Sequence, residues 1–150
     1  MELKGEVRIA AERDAVWAAL NDPDLLKECI PGCQSMERTS PATFTATIRV
    51  RFALISVTLT GIISLSNIRA PESYTIQAEG KGGVAGFAKG SADVVLQPDG
   101  DETILIYDAG GETGGKLAQL GSRLVGSTTE KLARKFFADF TAAANRKAAE

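Results

Sequence analysis

The sequence predicts an α+β fold in which a curved antiparallel sheet of about six to seven strands wraps around one long C-terminal helix. Apolar and polar residues alternate in successive stretches between Leu3 and Tyr107, which is typical of strands buried on one face. Two short helical stretches follow the first of these strands, and a helical apolar period extends from Lys116 to Arg146. A sheet that buries one face against a single helix must curl around it, and such a sheet commonly leaves a cavity.

The first third of the chain predicts one strand and two short helices. Leu3 to Ala11 alternates between apolar and polar residues and predicts the first strand. Asp14 to Leu20 predicts a first helix. Asp22-Pro23 predicts the start of a second helix, with Asp22 as the N-cap and Pro23 as the first helical residue, and Pro31-Gly32 predicts its end.

The remaining strands follow from alternation and turn residues. Strands are expected at Gln34 to Arg38, Thr43 to Leu54, Val57 to Leu65, around Tyr74 and Ile76, at Phe87 to Gln97 and at Thr103 to Tyr107. No Gly, Asn or Pro marks a turn near Leu54 to Ser56. The uncharged run from Phe52 to Ile68 is rich in Ser and Thr and alternates, which favours strands over a membrane span.

The C-terminal helix has two apolar arcs. The first holds Leu117, Leu120, Leu124 and Val125, and the second holds Leu132, Ala133, Phe136, Phe137, Phe140, Ala143 and Ala144. The arcs are rotated by roughly 120° relative to each other. Gly126 lies where the rotation occurs, and Ser127 to Glu130 matches a capping box, so we expect a kink or a fresh helix start there.

Length and composition limit the possible functions. We expect residues 1–150 to form a single domain that needs neither a disulfide nor a metal for folding. The 17 basic and 19 acidic residues argue against a basic nucleic-acid binder. From Lys116 onward seven basic and three acidic residues give a net +4, whereas ten basic and sixteen acidic residues before it give −6. This contrast indicates either a solvated helix face or a face that docks to an anionic membrane or an acidic partner.

The sequence contains no histidine, which removes the commonest general base and metal ligand. Cys29 and Cys33 fit a reducing compartment, and Met1 to Glu6 has no apolar signal core, so we expect a cytoplasmic protein. The C-x3-C spacing supplies at most two metal ligands. We therefore expect no metal site and interpret the pair as small apolar residues, with a redox pair as the alternative.

Two glycine-rich segments resemble nucleotide-binding motifs. Gly110 to Lys116 matches G-x-x-x-x-G-K, but Leu117 stands where the motif needs Ser or Thr, and the sheet is predicted to be antiparallel. Gly80 to Ala85 matches G-x-G-x-x-A, but a strand follows instead of a helix. We interpret Gly110–Gly115 as a hinge before the helix, and Gly80–Gly90 as either a mobile lip over a cavity or a bulged strand crossing.

Several short motifs together resemble one known family. They are Leu20-Asn-Asp-Pro23, Cys29-Ile-Pro-Gly-Cys33, the glycine pattern from Gly82 to Gly90, Gly115 to Arg123, and the aromatic spacing of Phe136, Phe137 and Phe140. In this order they cover nearly the whole chain and resemble the CoxG family of carbon monoxide dehydrogenase subunits. The resemblance implies the START-like helix-grip fold of the SRPBCC superfamily, with a hydrophobic cavity between the sheet and the C-terminal helix.

The resemblance also implies an accessory, non-enzymatic role. Family members are associated with molybdenum-containing dehydrogenases of the carbon monoxide dehydrogenase type, and are thought to connect the enzyme to the membrane and to hold a lipophilic quinone. Some continue into a membrane-anchoring tail. Because this sequence ends at Glu150, we expect any contact with the cytoplasmic membrane to be peripheral. No covalent cofactor is expected, only a bound quinone or lipid.

The main hypothesis is therefore a carrier of a lipophilic small molecule. The expected ligand-binding residues are apolar and come from the short helices, the sheet and the long helix: Trp17, Leu26, Ile48, Val50, Tyr74, Phe87, Leu120, Leu124, Phe136 and Phe140. The Gly80–Gly90 and Gly110–Gly115 segments are expected to open the cavity.

Two alternatives remain. The chain could be a small enzyme of polyketide cyclase type that uses Tyr74 or Tyr107 beside a carboxylate. It could also be a pure assembly factor. Docking to a partner or a membrane would then use the basic helix face of Arg123, Lys131, Arg134 and Lys135.

Overall fold

The computed structural model describes residues 2–52, 55–83 and 86–149, except for the side chains at positions 50, 52, 55, 116, 119–130, 148 and 149. In chain order the elements are β1 (Glu2–Ile9), α1 (Arg13–Leu20), α2 (Pro23–Cys29), β2 (Cys33–Ser40), β3 (Thr43–Phe52), β4 (Ile55–Arg69), β5 (Ser73–Lys81), β6 (Phe87–Asp99), β7 (Glu102–Gly114) and α3 (Lys116–Ala149). This order confirms the predicted architecture.

The seven strands form one antiparallel sheet in the order β1-β7-β6-β5-β4-β3-β2. From β2 to β7 each strand pairs with its neighbour in sequence, and β1 closes the series against β7 with Glu2 opposite Gly110. One face of the sheet, here called the inner face, carries Val94, Leu96 and Leu105 and packs against the helices. The opposite, outer face carries the intervening residues.

The second helix starts as the sequence predicts. The Asp22 side chain accepts hydrogen bonds from the backbone N–H groups of Asp24 (3.1 Å) and Leu25 (3.3 Å), and Pro23 is the first helical residue. Asp22 therefore satisfies two N–H groups that have no partner within the helix.

The long helix runs from Lys116 to Ala149 without a break, so the predicted fresh helix start at Ser127 is wrong. A single helical glycine such as Gly126 costs only about 1 kcal/mol relative to alanine, which packing along a long helix can outweigh. The side chains of the predicted capping box, Ser127 to Glu130, lie outside the described residues.

The predicted glycine-rich loops are for the most part strands. Residues 110–114 belong to β7, and Gly80 and Gly90 belong to β5 and β6. The predicted hinge at Gly110–Gly115 is therefore wrong except at Gly115, because glycine retains both backbone hydrogen-bonding groups and can extend a ladder. Between β5 and β6, a turn is closed by a hydrogen bond of 2.8 Å from Gly82 N–H to Gly86 O.

Two hydrophobic clusters hold the fold together. The larger joins the inner face to all three helices and contains Ile9, Val16, Tyr74, Leu105 and Phe140, among others. The smaller one centres on Met36, Phe44 and Ala46 of β2 and β3. Leu26 and Leu65 pack against both clusters and so connect them.

Candidate ligand-binding site

The inner face of the sheet is divided into a half with large side chains and a half with small ones. The small half spans β5, β6 and β7, where strand pairing places alanines and glycines beside one another. We call this group the small-residue patch: Ala78, Gly80, Ala88, Gly90, Ala92, Ala109 and Gly111. All seven are only partly buried. Because they lack bulk where other inner-face positions carry large side chains, we infer a recess over the patch.

The large half is filled by the second part of α3. Phe140, Ala143 and Ala144 pack there in the same buried cluster as Tyr74, Leu96 and Leu105. Since α3 begins directly after the end of β7, at the small-residue end of the sheet, its first part starts beside the patch. Leu117, near the start of α3, is buried.

Large apolar side chains border this arrangement without being fully buried. They come from the helices and from the inner face: Trp17, Leu26, Leu65, Ile76, Tyr107, Phe136 and Phe137. Several make ring contacts: Trp17 meets Tyr74 edge to face at 5.1 Å, and Tyr107 stacks on Phe137 at 4.8 Å. The border is therefore aromatic and well ordered by its own contacts.

The structure brings together five of the ten predicted ligand-binding residues. Trp17, Leu26, Tyr74, Phe136 and Phe140 belong to or pack against the larger cluster. Ile48 lies on β3, half-buried and paired with Leu59 of β4. The side chains of the remaining predicted residues on β3 and α3, at positions 50, 120 and 124, lie outside the described residues.

Phe87 does not join this group. Phe87 and Val94 are an odd number of positions apart in a strand without register shifts, so their side chains point to opposite faces of the sheet. Phe87 is 36% exposed and covers Gly114 on the outer face, where a Cβ atom on Gly114 would lie 2.2 Å from the Phe87 ring. The prediction of Phe87 as a cavity residue is therefore wrong.

The small-residue patch lies outside the set of predicted ligand-binding residues. Its signal was present, because the alanines and glycines recur at every second position of β5, β6 and β7. The sequence analysis assigns the glycines of Gly110–Gly115 to a hinge, and those of Gly80–Gly90 to either a mobile lip or a bulged strand crossing.

Among the described residues, no carboxylate contributes to the electrostatics of Tyr74. Burial raises the pKa of the Tyr74 hydroxyl, and no charged neighbour contributes to that shift. The Tyr107 ring lies across Gly5, and its hydroxyl would be 2.6 Å from a Cβ atom placed there. A general base needs a lowered pKa or a proton-accepting partner, and Tyr74 has neither among the described residues.

The cysteines and acidic residues form no reactive or metal-binding group in the described part of the chain. No cluster of three potential metal ligands occurs there. Both cysteines are free thiols, and burial is the main factor that raises the pKa of Cys29 and of Cys33. Raised thiol pKa values disfavour the thiolate that redox chemistry needs.

The basic residues of α3 have different surroundings. Lys131 and Arg134 are exposed, and neither forms an ion pair with any side chain that the structure describes. Lys135 pairs with Asp139 at 3.0 Å, and the side chain of Arg123 lies outside the described residues. Leu132 lies between the exposed cations and is 43% exposed, so its prediction as a buried residue of the apolar arc is wrong.

An open groove of about 680 Å³ lies on the outer face. Its lining combines Ile62 with polar residues such as Gln77 and Ser91, and with the ion pair between Lys89 and Glu112 at 3.0 Å. The groove and the small-residue patch lie on opposite faces of the same strands, and Ala78, Gly90 and Gly111 of the patch also contribute to the lining of the groove.

Comparison with solved structures defines the class of protein. A conserved protein from Geobacillus kaustophilus is 28% identical, with a TM-score of 0.88 over 97% of this chain and 96% of that one. The protein TTHA0849 from Thermus thermophilus (14% identity, TM-score 0.71, 97% and 98% coverage) and the Zhui aromatase/cyclase from Streptomyces sp. R1128 (16% identity, TM-score 0.68, 97% and 94% coverage) share the fold. The chain therefore has the START-like helix-grip fold, of the SRPBCC type, that the sequence predicts.

Within that class, the chain belongs to the CoxG family of carbon monoxide dehydrogenase subunits, which it matches over residues 5–145. No curated protein matches it. Among the described residues, no helix combines the length and the apolar character needed to cross a membrane.

Proposed function

We propose that this protein is a non-enzymatic carrier that binds a lipophilic small molecule, a quinone or another lipid, over the small-residue patch. One observation carries the proposal: seven adjacent alanines and glycines on the inner face are only partly buried, while the neighbouring row of the sheet carries Tyr74 and Tyr107. An empty recess costs stability, because the side chains around it lack van der Waals partners. A bound apolar molecule would supply those partners.

The chemistry of the inner face favours an uncharged ligand. Along β1 and β3 to β7, the described inner-face residues include no charged side chain. A charged ligand buried there would lose its hydration without gaining a partner, which is strongly unfavourable. The aromatic border suits a flat ring system, since rings gain from stacked and edge-to-face contacts.

The family and the charge of α3 support an accessory role. The family is named as a subunit of carbon monoxide dehydrogenase. We propose that the domain serves a molybdenum-containing enzyme of that type at the inner surface of the cytoplasmic membrane, with Lys131 and Arg134 available for docking because no described acidic side chain pairs with them.

A cyclase-type enzyme is the weaker alternative. The Zhui aromatase/cyclase shares the fold at 16% identity, and fold alone does not carry an activity. Tyr74, the residue that such an enzyme would most plausibly use, has a raised pKa and no carboxylate beside it. A carrier does not need an activated tyrosine.

Filling the recess tests the carrier function. Ala92→Phe places a ring on the patch, whereas Val95→Phe places the same ring on the outer face of the same strand. With 2,3-dimethyl-1,4-naphthoquinone as the probe, equilibrium dialysis should show at least about tenfold weaker binding for Ala92→Phe and unchanged binding for Val95→Phe. The fully substituted ring avoids alkylation of Cys29 and Cys33.

Urea unfolding identifies a variant that fails to fold, and Ala78→Leu then provides a milder test at the adjacent strand. Equal affinity of a folded patch variant and the wild type would refute binding over the patch. Failure of the wild type to bind any of a series of quinones and phospholipids would refute the carrier function.

Charge reversal tests docking separately. Lys131→Glu/Arg134→Glu should abolish co-precipitation of the purified dehydrogenase of the same host, and wild-type capture should weaken between 50 and 300 mM salt, where the Debye length falls below about 10 Å. Arg49→Glu/Arg51→Glu, which alters two exposed cations on the outer face of β3, is the matched control. Equal loss in both double variants would show a nonspecific effect of net charge and contradict docking through α3.

A further inference from the structure

The outer face of the sheet carries three adjacent apolar side chains on β6 and β7. Val95 and Ile106 pair directly across the two strands, and Ile104 lies on the same face of β7 two positions earlier. Val95 is 39% exposed, and both isoleucines are half-buried. We call these three residues the outer strip. Adjacent apolar side chains on a solvent-facing surface often mark a contact with another molecule.

The charges around the outer strip are mainly negative. The outer-face residues of β1, β6 and β7 include seven carboxylates and three cations: Glu2, Glu6, Asp93, Asp99, Glu102, Asp108 and Glu112 against Lys4, Arg8 and Lys89. Each of the three cations already pairs with a carboxylate of this surface. Glu6 lies opposite Ile106, and Asp93 lies two residues before Val95. Among the described side chains, neither Glu6 nor Asp93 has a cationic partner, so both are available to a partner of positive charge.

The reverse arrangement occurs on α3. Leu132 is 43% exposed and lies between Lys131 and Arg134, which are exposed and form no ion pair with any side chain that the structure describes. We call these three residues the helix surface. α3 packs on the inner face of the sheet through Phe140 and Ala144, so the helix surface and the outer strip lie on opposite sides of the sheet. The two surfaces are complementary, but they can meet only between two copies of the chain.

We propose that the protein associates head to tail with itself, the helix surface of one copy resting on the outer strip of the next. Leu132 contacts the apolar side chains, and Lys131 and Arg134 face Glu6 and Asp93. An apolar centre with a charged rim is the usual anatomy of a protein interface. This inference does not depend on the carrier function. Because it uses Lys131 and Arg134, self-association and docking to a dehydrogenase exclude each other at α3.

The kind of contact predicts how association depends on concentration and salt. A head-to-tail contact leaves one free surface of each kind at the two ends, so association continues beyond two copies unless a ring closes. The contact is small and partly electrostatic, so it should be weak and sensitive to salt. Sedimentation equilibrium of the full chain from about 10 to 500 µM should show an average mass that rises beyond twice that of the monomer in 50 mM salt. In 300 mM salt the mass should stay close to that of the monomer.

Charge exchange tests the two surfaces. Lys131→Glu/Arg134→Glu and Glu6→Lys/Asp93→Lys should each weaken association at least about tenfold, because each brings like charges together. The quadruple variant that combines all four substitutions should associate again, because its surfaces once more have opposite charges, and its net charge of −2 equals that of the wild type.

Two further variants serve as controls. Arg49→Glu/Arg51→Glu has the same net charge as the variant of the helix surface but alters only β3, so it should associate like the wild type. Urea unfolding shows whether each variant is folded. If a charge variant fails to fold, Leu132→Ser tests the helix surface without a change of charge and should also weaken association.

Several outcomes would overturn the proposal. A wild type that stays monomeric in 50 mM salt, or a folded quadruple variant that stays monomeric, shows that these surfaces do not bind each other. A mass that levels off at twice the monomer shows a symmetric dimer instead. Loss of association in Arg49→Glu/Arg51→Glu assigns the effect to net charge. None of these outcomes affects the carrier function, which the dialysis of quinone tests separately.

Discussion

Lys147 Nζ lies 2.6 Å from Asp22 Oδ2, which joins the last turns of α3 to the N-terminus of α2. The other carboxylate oxygen, Oδ1, accepts the backbone N–H groups of Asp24 and Leu25. One side chain thus caps a short helix with one oxygen and ties it to the long helix with the other. Arg146, which pairs with Glu28 at 3.4 Å, makes a second link between the same helices.

The two tasks of Asp22 can be separated by mutation. Asp22→Asn keeps a side-chain oxygen for the cap but loses the charge, so it should lower the free energy of unfolding by about 0.5–1 kcal/mol. Asp22→Ala removes the cap as well and should cost about 1 kcal/mol more. Urea unfolding measures both. Equal stability of the two variants would contradict a capping role.

The contribution of Asp22 should depend on pH. The hydrogen bond from Lys147 is the main factor that lowers the pKa of Asp22 in the folded protein. A carboxyl group with a lowered folded pKa stabilises the fold above its unfolded value of about 3.9, and this contribution is lost as pH falls through the folded value. The stability difference between the wild type and Asp22→Asn should therefore be full at pH 7 and shrink below about pH 4. A difference that stays constant from pH 7 to pH 2 would contradict this linkage.

Thr103 should tolerate serine better than valine. It is fully buried, and its hydroxyl pairs with the backbone oxygen of Ala11. Thr103→Val preserves the shape but leaves that oxygen without the hydroxyl, at a cost of about 1–3 kcal/mol. Thr103→Ser keeps the hydrogen bond and loses a methyl group, at a cost of about 1 kcal/mol. If thermal or urea unfolding shows that Thr103→Ser is less stable than Thr103→Val, this prediction is wrong.

Gly5 should reject a side chain because the Tyr107 ring occupies the space. A Cβ atom at Gly5 would lie 2.6 Å from the Tyr107 hydroxyl oxygen, so Gly5→Ala must displace a ring that stacks on Phe137. We expect a loss of about 1–3 kcal/mol in urea unfolding. Gly80→Ala is the control, since its nearest neighbour, Leu59 Cβ, is at an ordinary 3.5 Å.

A double mutant tests whether the Tyr107 ring causes this loss of stability. In a Tyr107→Leu background the side chain at position 107 is shorter, and Gly5→Ala should cost markedly less. An equal cost in both backgrounds would show that the backbone, and not the ring, rejects the methyl group.

Both cysteines should react slowly in the folded protein. Burial raises the pKa of Cys29 and Cys33, so little thiolate is present near neutral pH. Iodoacetamide at pH 7.5 should label the two cysteines of the folded protein more slowly than it labels glutathione. Once urea unfolds the chain, the cysteines should react at about the same rate as glutathione. Labelling of the folded protein at the rate of glutathione would restore the redox interpretation.

Most of the fold could be predicted because burial on one face leaves a period of two in strands and of about 3.6 in helices. The N-cap at Asp22 was also predictable, because an Asp followed by Pro is a local signal for a helix start. The C-terminal end of β7 was not predictable, because glycines occur in both turns and strands. Only pairing with β1 and β6 shows that residues 110–114 continue the sheet.

The candidate site was predicted in part. Trp17, Tyr74 and Phe136 follow from aromatic residues on buried faces. Phe87 is apolar and aromatic like a cavity residue, but its position relative to Val94 puts it on the outer face. Leu132 was misplaced because a helical arc shows which residues share a side, but not how far the surface beneath them extends.

The order of strands in the sheet also has a consequence for biosynthesis. β2 to β7 can pair one after another as they leave the ribosome, but β1 pairs only with β7, about a hundred residues later. The apolar residues of β1, such as Val7 and Ile9, therefore have no strand to pair with until β7 has been synthesised. β1 is synthesised first, but it is the last strand that can pair within the sheet.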